Sequence, residues 1–322
     1  MNSSSILFFM SMILGIMVSL CSNNLISIWI GLEISLLCFI PIMAGGGLLS
    51  SESSIKYFII QSLSSLLLML GLMIMVMEFG NLGTLIICTS LLIKLGIAPF
   101  HLWVLSVVEG LTNFCLFIML FLMKLSPLFI ISMMNYEFMF ISFITMMVGS
   151  ISGLIQNSIR KLLAFSSIYN LGMVIACISN NSLWLIYFLI YGFILFCLII
   201  MVNSLSSNYV NQVIMMEFNS SKKLIFWLSM LSMGGLPPFL GFINKLMIIE
   251  FFMINENLIL MVTLIFTALL VIFYYMRLSF VSLMFFSLNP KWSLNLSFNL
   301  SFIVLMMNLI SFPLFLSLKS LI

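Results

Sequence analysis

Apolar stretches of roughly 20 residues, the length of a membrane-spanning helix, recur along the whole of this chain. Such a helix crosses the ~30 Å hydrocarbon layer of a bilayer. Of the 322 residues, 64% are hydrophobic and only 6% are charged, whereas about a quarter of a soluble domain is charged. So few polar side chains cannot cover a water-exposed surface. The sequence therefore predicts an all-α, polytopic transmembrane helix bundle.

Clusters of glycine, asparagine, serine and charged residues separate about eleven predicted spans. They lie near 4–20, 25–43, 56–77, 83–104, 109–134, 137–156, 158–178, 181–205, 222–254, 257–283 and 294–318. Because the loops between them are short, we expect 1–322 to form a single membrane domain without a soluble appendage. The first apolar run begins at Ile6, with no basic segment or cleavage motif before it, which favours a retained span over a signal peptide.

The basic residues of the predicted loops fall mainly on one side of the membrane. When the loops are numbered by parity, the side that holds the N-terminus carries Lys56, Arg160, Lys161, Lys222, Lys223 and Lys291. Only Lys319 falls on the other side. Positively charged loops stay in the cytoplasm or the mitochondrial matrix. We therefore expect the N-terminus in that compartment and the C-terminus on the opposite side.

Two similar motifs indicate an internal repeat. The run from Gly96 to Phe100 in the fourth span resembles the run from Gly235 to Phe239 in the ninth, and each has a lysine nearby, Lys94 or Lys245. By the parity count, the two spans cross in opposite directions, which is typical of inverted-topology repeats. We expect repeat one at about 4–134, repeat two at about 137–283 and a last helix at about 294–318.

Prolines within the spans predict helix breaks. Proline removes one backbone hydrogen bond and clashes with the preceding turn. In hydrocarbon the freed carbonyls need partners, so breaks occur where a helix faces protein or a water-filled cavity. A broken helix near the midplane is therefore a candidate ion site. The predicted breaks lie at Pro99, Pro127, Pro237 and Pro238.

Four charged residues lie well inside predicted spans, away from the span ends: Glu33, Lys94, Lys124 and Lys245. A charge at the centre of a spanning helix costs on the order of 3 kcal/mol on insertion scales. Several such residues suggest a function. The structural alternative for each lysine is a side chain near a helix end that reaches to the headgroups. Desolvation favours the neutral form of a buried lysine and a nearby carboxylate favours the charged form, so moving the carboxylate away would release a proton.

Other ionisable residues allow two interpretations. His101 follows Lys94 by seven residues and would share its helix face if the helix were unbroken. It is a possible proton relay or a hydrogen-bonded structural group. Arg277 lies near a span end, where we expect it to reach to the headgroups or to pair structurally. Glu109 and Glu250 lie close to helix ends, and solvated and functional positions both remain open.

Cysteine and histidine are too scattered to hold a metal cluster. The six cysteines form no CxxC pair, and the chain has one histidine. Iron–sulfur and structural zinc sites need closely spaced cysteine or histidine ligands. We expect no metal and no cofactor in this chain, and membrane lipids rather than nucleic acid as a partner.

Four stretches carry a resemblance to a known family: Trp29–Glu33, Lys94–Trp103, Ile159–Ile168 and Gly234–Lys245. In these residues the chain resembles the antiporter-like membrane subunits of respiratory complex I and the related multi-subunit cation/proton antiporters. The order and spacing of the stretches cover most of the chain. The resemblance implies a shortened member that lacks the first three helices of the fourteen-helix form, as in animal mitochondria.

The resemblance also implies a function in the mitochondrial inner membrane. Such a subunit translocates protons, coupled to NADH oxidation and ubiquinone reduction elsewhere in the complex. NADH, FMN, iron–sulfur clusters and ubiquinone are then expected in other subunits, and the partners are other membrane-arm subunits. The implied roles are Glu33 as the carboxylate that modulates Lys94, Lys124 as a connecting lysine and Lys245 as the distal lysine of the proton path.

One position departs from the pattern. Many relatives carry a histidine where this chain has Asn170. An asparagine can hold a water molecule but takes up no proton at neutral pH. A relay through that position would therefore have to run through water.

Three other functions remain open on the sequence alone. The first is a free-standing monovalent cation/proton antiporter, although short loops fit a large assembly better. The second is a structural subunit whose pumping is lost, against which the complete set of buried charges counts. The third is a receptor or glycosylated plasma-membrane protein, for which sequons such as Asn180-Asn181-Ser182 are weak support in a chain rich in Asn and Ser.

Overall fold

The structure is a computed structural model, and every regular element that it describes is a helix. The chain divides into two compact units, Met1–Glu137 and Phe138–Ile322. The predicted last span, 294–318, lies outside the described residues except for Pro313, as do Lys291 and Lys319. The described residues are 3–77, 80–134, 136, 138–205, 207–210, 212, 220–284 and 313.

The first unit contains three long helices, a broken helix and a fifth span with a widened turn. The long helices are α1 (Ser3–Cys21), α2 (Leu25–Ala44) and α3 (Leu48–Val76). The broken helix consists of α4 (Gly80–Leu95) and α5 (Leu102–Val108). The fifth span consists of α6 (Asn113–Phe117), a π-helical turn (Ile118–Leu122) and α7 (Met123–Met133).

Among the described residues, the second unit has the same order of elements, with the broken helix again in fourth place. Its first three helices are α8 (Met139–Gly153), α9 (Ile159–Ala176) and α10 (Asn181–Leu205). The broken helix consists of α11 (Ser220–Gly234) and α12 (Leu240–Ile254), and α13 (Leu258–Met284) follows.

Seven helices in the described part of the chain are long and apolar enough to cross a membrane. They are α1, α2, α3, the span Asn113–Met133, α9, α10 and the Leu258–Phe280 part of α13. The predicted all-α transmembrane bundle is therefore confirmed. The count of eleven spans stays a prediction, because α8 and the halves of the broken helices are shorter.

Small residues let neighbouring helices approach closely within each unit. In the first, a Cβ atom on Gly15 of α1 would lie only 2.8 Å from the backbone nitrogen of Ser35 in α2. In the second, a Cβ atom on Gly149 of α8 would lie 2.7 Å from the backbone nitrogen of Tyr169 in α9. In a membrane the hydrophobic effect does not drive helices together, because lipid tails are as apolar as the side chains. Close contacts of this kind supply packing energy instead.

One predicted boundary differs clearly from the structure. Helix α3 begins at Leu48 rather than near 56, so Lys56 lies within the helix and not in a loop. The polar residues before 56 form the first turns of this helix, where Lys56 Nζ and Glu52 Oε1 form an exposed ion pair of 2.6 Å. Partners four residues apart meet on one helix face, which explains why these polar residues are helical.

Candidate functional site

The first helix break begins at a glycine. Helix α4 ends at Leu95, and Gly96 has a left-handed φ of 69°. The backbone N–H groups of Gly96 and Ile97 both donate to the Leu92 carbonyl, at 3.1 and 3.2 Å. A glycine in this conformation ends a helix and caps its free carbonyls. Pro99 lies in the turn that follows, before α5 begins at Leu102.

The second break repeats this backbone conformation. Gly235 has a φ of 75°, and the N–H groups of Gly235 and Leu236 donate to the Leu231 carbonyl at 3.0 and 3.4 Å. Pro237 and Pro238 lie in the turn before α12. The match supports the predicted repeat, which stays a prediction. The two nearby lysines are not equivalent, because Lys94 precedes its glycine whereas Lys245 follows its glycine on the second half-helix.

Side chains bind the carbonyls that the first break frees. The indole N–H of Trp103 donates to the Ile93 carbonyl at 3.0 Å. The amide of Gln61, on α3, donates to the Lys94 carbonyl at 3.3 Å. Backbone groups in an apolar medium cost several kcal/mol when they have no partner, so these contacts make the break stable. The sequence prediction missed Gln61, although a lone amide inside an apolar span is a signal of such a role.

Lys94 and Lys124 line one cavity inside the first unit. Both side chains are buried, with 8% and 4% of their surface exposed. The cavity offers about 20 Å³ to the centre of a water molecule, and about 10–15 Å³ of such space holds one water. Its other polar lining residues are Ser35, Tyr57 and Gln61. The cavity therefore has room for a water molecule beside two buried lysines.

Glu33 lies on α2 beside this cavity. Leu32 and Ser35, its neighbours on the helix, line the cavity, and the Glu33 carboxylate acts electrostatically on Lys94 and Tyr57. Glu33 and Lys94 form no ion pair within 4 Å, and Glu33 Oε1 has no hydrogen-bond partner among the described residues. The carboxylate therefore acts on Lys94 through space. A change in the charge or position of the carboxylate would change this interaction.

The predicted break at Pro127 is wrong. Helix α7 continues through Pro127, and the irregular part of this span is the π-helical turn Ile118–Leu122. A proline removes one N–H donor, and a π-turn is where a helix already departs from its regular hydrogen-bond ladder. The span therefore accommodates the ring without ending. Lys124 is the second residue of α7, and its buried side chain lines the cavity together with Pro127.

His101 lies at the end of the first break, immediately before α5. Its side chain is half-buried, and its Nδ1 atom has no hydrogen-bond partner among the described residues. It does not line the cavity that Lys94 and Lys124 share. The structure thus places His101 at the break but leaves its relay role a prediction.

Lys245 folds back over the second break. It is 6% exposed, and its ammonium donates to the Gly234 carbonyl at 2.5 Å. The ammonium also lies 5.9 Å from the centroid of the Tyr169 ring, within cation–π range. Gly234 is the last residue of α11, where the negative end of the helix dipole favours a cation. The break therefore provides the partner that the buried lysine needs.

Asn170, the position that departs from the family pattern, is held by a tyrosine. The Tyr187 hydroxyl donates to Asn170 Oδ1 at 2.7 Å, and Asn244 Nδ2 donates to the Tyr187 carbonyl at 3.4 Å. These bonds connect α9, α10 and α12. They give Asn170 and Tyr187 a structural role beside Lys245.

The remaining ionisable residues lie near helix ends or breaks. Arg277 donates to the Gln156 carbonyl at 3.5 Å, in agreement with the predicted structural pairing. Glu109 and Glu250 are exposed. Within the described part of the chain, no group of three or more His, Cys, Asp or Glu side chains could hold a metal ion.

Comparison with known families defines the class of protein. Residues 22–271 match the family described as NADH:quinone oxidoreductase/Mrp antiporter, TM. Solved structures share the fold, and two of them match over nearly all of this chain. A chain of respiratory complex I from Thermus thermophilus with bound Aureothin matches with a TM-score of 0.81 at 18% identity, over 97% of this chain and 77% of that one. A chain of the archaeal membrane-bound sulfane sulfur reductase matches with a TM-score of 0.82 at 15% identity, over 96% and 72%.

Relatives in animals define the family more narrowly. A protein of Anopheles gambiae is 38% identical over 96% of this chain and 95% of its own length. Proteins of Aedes aegypti and Locusta migratoria are 37% and 33% identical, over 96% and 92% of this chain and 95% and 91% of their own length. All three are named NADH-ubiquinone oxidoreductase chain 2. This chain belongs to the NADH-ubiquinone oxidoreductase chain 2 family.

Proposed function

We propose that this chain is a multi-pass inner-membrane subunit of mitochondrial NADH:ubiquinone oxidoreductase that moves protons through Glu33, Lys94, Lys124 and Lys245. The observation that carries the proposal is the cavity that the buried amines of Lys94 and Lys124 share. Two lysines in an apolar bundle are costly. Both lysines line a cavity with room for one water molecule, and proton transfer through that water gives both a function.

Proton movement in the first unit follows from electrostatics. A nearby carboxylate favours the charged form of Lys94, whereas burial favours the neutral form. When the Glu33 carboxylate is neutralised or withdrawn, Lys94 releases its proton to the cavity water. The water then passes a proton to the amine of Lys124, and return of the Glu33 charge prepares Lys94 to accept the next proton. Each step exchanges one proton and needs no cofactor.

Lys245 serves as the distal lysine in the second unit. Its ammonium is bound by the Gly234 carbonyl at the end of α11. Loss of its proton exchanges a charge-assisted hydrogen bond for a weaker neutral one, so protonation is coupled to the strength of this contact. His101, half-buried at the first break, is the proposed entry relay for the first unit.

The wider assignment follows from the family. We place NADH, FMN, the iron–sulfur clusters and ubiquinone in other subunits of the complex. Other membrane-arm subunits and membrane lipids are the partners of this chain. The positively charged loops favour an N-terminus on the matrix side and a C-terminus on the intermembrane-space side. Repeat one at 4–134 and repeat two at 137–283 belong to the same proposal.

The competing function is a free-standing cation/proton antiporter. A chain of the Mrp complex from Dietzia sp. shares the fold, with a TM-score of 0.74 at 15% identity over 84% of this chain and 59% of that one. The chain 2 relatives match over nearly their full length and favour the subunit. In the competing case, the purified chain alone would exchange Na⁺ or K⁺ for protons in vesicles.

Lysine-to-methionine variants in the assembled complex test the proposal. Lys94→Met and Lys245→Met remove the amine but keep a long apolar side chain, so the bundle should still assemble. We expect fewer protons translocated per NADH oxidised, or slower coupled turnover. Lys56→Met is the matched control, because Lys56 is exposed and its ion pair with Glu52 contributes only about 0.3–0.5 kcal/mol. Full pumping in both buried variants would overturn the proposed relay.

A further inference from the structure

Four buried tyrosines form a polar group in the second unit that the relay does not use. They are Tyr169 on α9, Tyr191 on α10, and Tyr274 and Tyr275 on α13, and none is more than 4% exposed. None of their hydroxyl oxygens has a hydrogen-bond partner of good geometry among the described residues. We call these four residues the tyrosine cluster.

The four hydroxyl groups lie close to one another. The rings of Tyr274 and Tyr275 have centroids 4.6 Å apart. The Tyr274 hydroxyl interacts electrostatically with those of Tyr275, Tyr169 and Tyr191. The small hydroxyl side chains next to the cluster are those of Ser166, Ser167 and Thr267. The cluster is therefore a group of neighbouring hydroxyls that brings together side chains from three helices.

Burial of these oxygens has a cost that phenylalanine would avoid. A buried hydroxyl without a partner costs about 1–3 kcal/mol, and Thr267, Ser167 and Ser166 offset only part of this cost because their bonds to Tyr169, Tyr191 and Tyr275 lack good geometry. Buried polar groups in native proteins find partners in each other or in water. The oxygens therefore indicate a group that exchanges hydrogen bonds rather than one that only fills space.

The cluster extends from Lys245 to one end of the second unit. At one end, the Tyr169 ring faces the Lys245 ammonium. Tyr275 lies against Gly234, whose carbonyl binds that ammonium, since a Cβ atom on Gly234 would lie 3.5 Å from Tyr275 Cδ2. At the other end, a Cβ atom on Gly153, the last residue of α8, would lie 3.0 Å from Tyr274 Cε1.

Polar groups continue beyond this end of the cluster. Arg277 follows Tyr274 by three residues, about one helical turn, and donates to the Gln156 carbonyl in the loop between α8 and α9. Directly after this loop, in the first turn of α9, Arg160 donates to Asn208 Oδ1. The hydroxyls of the cluster are thus bounded by a buried amine on one side and by charged, half-buried residues at a helix end on the other.

We propose that the tyrosine cluster is a proton-access path between Lys245 and the end of the second unit where α8 ends and α9 begins. The proposal rests on the proposed relay role of Lys245. A phenol both donates and accepts hydrogen bonds. The hydroxyl nearest the loop end accepts a proton on its lone pair from hydronium while it gives its own proton to the next oxygen, and each later hydroxyl accepts from the one before it and donates to the next. The last proton goes to the neutral amine of Lys245, no tyrosine is left ionised, and the hydroxyls then rotate back.

The test is the double variant Tyr274→Phe/Tyr275→Phe in the assembled complex. It removes only two oxygen atoms, so we expect normal or higher amounts of assembled complex. Coupled proton translocation should fall about tenfold, a modest part of what a positioned proton-transfer group contributes. Unchanged protons per NADH and unchanged turnover would overturn the path, whatever the amount of complex.

Tyr187→Phe is the matched control. Tyr187 is also a buried tyrosine of the second unit and borders the cluster, but its hydroxyl already donates to Asn170. We expect this variant to lose some stability and to retain the proton-to-NADH ratio. An equal loss of pumping in the control and in the double variant would mean that any lost tyrosine hydroxyl impairs this unit, and would contradict the path.

Lys245→Met separates failure of the path from failure of the relay. If this variant pumps normally, the proposed role of Lys245 is wrong and the path with it. If it loses pumping while the double tyrosine variant does not, only the path is wrong. When all three changes are combined, the path predicts no further loss beyond Lys245→Met. If the triple variant instead shows the product of the separate losses, the tyrosines act independently of Lys245 and the proposed path is wrong.

Discussion

Substitution of the glycine at the first helix break should damage the complex by an amount that the structure allows us to estimate. At Gly96, with a φ of 69°, alanine pays about 1–2 kcal/mol for the left-handed conformation. Its Cβ atom would also lie 2.3 Å from Val104 Cγ2, and relief of such overpacking costs about 1–3 kcal/mol. We therefore expect Gly96→Ala to destabilise the bundle by about 2–5 kcal/mol.

Two other glycines separate the contributions. Gly45 has a φ of −71°, and an added Cβ would meet no atom within 4 Å. We expect Gly45→Ala to be neutral or to stabilise by up to about 1 kcal/mol. Gly47 has a φ of 124° and equally open space. Gly47→Ala should therefore cost only the conformational part, about 1–3 kcal/mol.

The assay is the amount of assembled complex on native gels, together with the temperature at which half of the NADH:ubiquinone reductase activity is lost. The expected order of stability is Gly45→Ala, then Gly47→Ala, then Gly96→Ala. Val104→Ala should partly rescue Gly96→Ala, because it removes the Cγ2 atom of the clash. If Gly96→Ala is as stable as Gly45→Ala, the geometry of the break is wrong.

Three further substitutions have defined outcomes. Gln61→Leu leaves the Lys94 carbonyl without its side-chain donor, which should cost about 1–3 kcal/mol and show as a lower temperature of half-inactivation than that of wild type. His101→Gln keeps a polar side chain that does not titrate, so coupled turnover should fall while assembly is retained, and unchanged turnover would make the histidine structural. Pro127→Ala restores an N–H donor inside a continuous helix, so native gels should show unchanged assembly. A strong loss of assembly would mean that the helix needs a break at Pro127.

The candidate relay residues stand out in the sequence because charge is rare in this chain. Glu33, Lys94 and Lys124 stand out against apolar neighbours, and the cost of burying a charge in hydrocarbon is by itself an argument for function. The helix breaks were visible for a similar reason, since glycine and proline change the backbone wherever they occur. Whether these side chains meet is a matter of helix packing, which no local pattern encodes.

Other parts of the site could not be predicted from the sequence because their residue types are common in chains of this kind. Gln61 and Trp103 act by reaching carbonyls on another helix or half-helix, and the cluster around Tyr274 depends on three helices coming together. Pro127 was misread because the π-turn before it is set by packing and not by a single residue. The start of α3 was missed because serine and glutamate at 48–55 resemble a loop, although Lys56 pairs with Glu52 on the helix.

The cavity lined by Lys94 and Lys124 makes the proposed relay directly testable. In the assembled complex, proton translocation per NADH would be measured for Lys94→Met, Lys124→Met and the double variant. Because Lys94 and Lys124 line one water-sized cavity and the proposed path uses both, we expect the double variant to be no worse than the more impaired single variant. Losses that multiply in the double variant, or full pumping in all three, would contradict it.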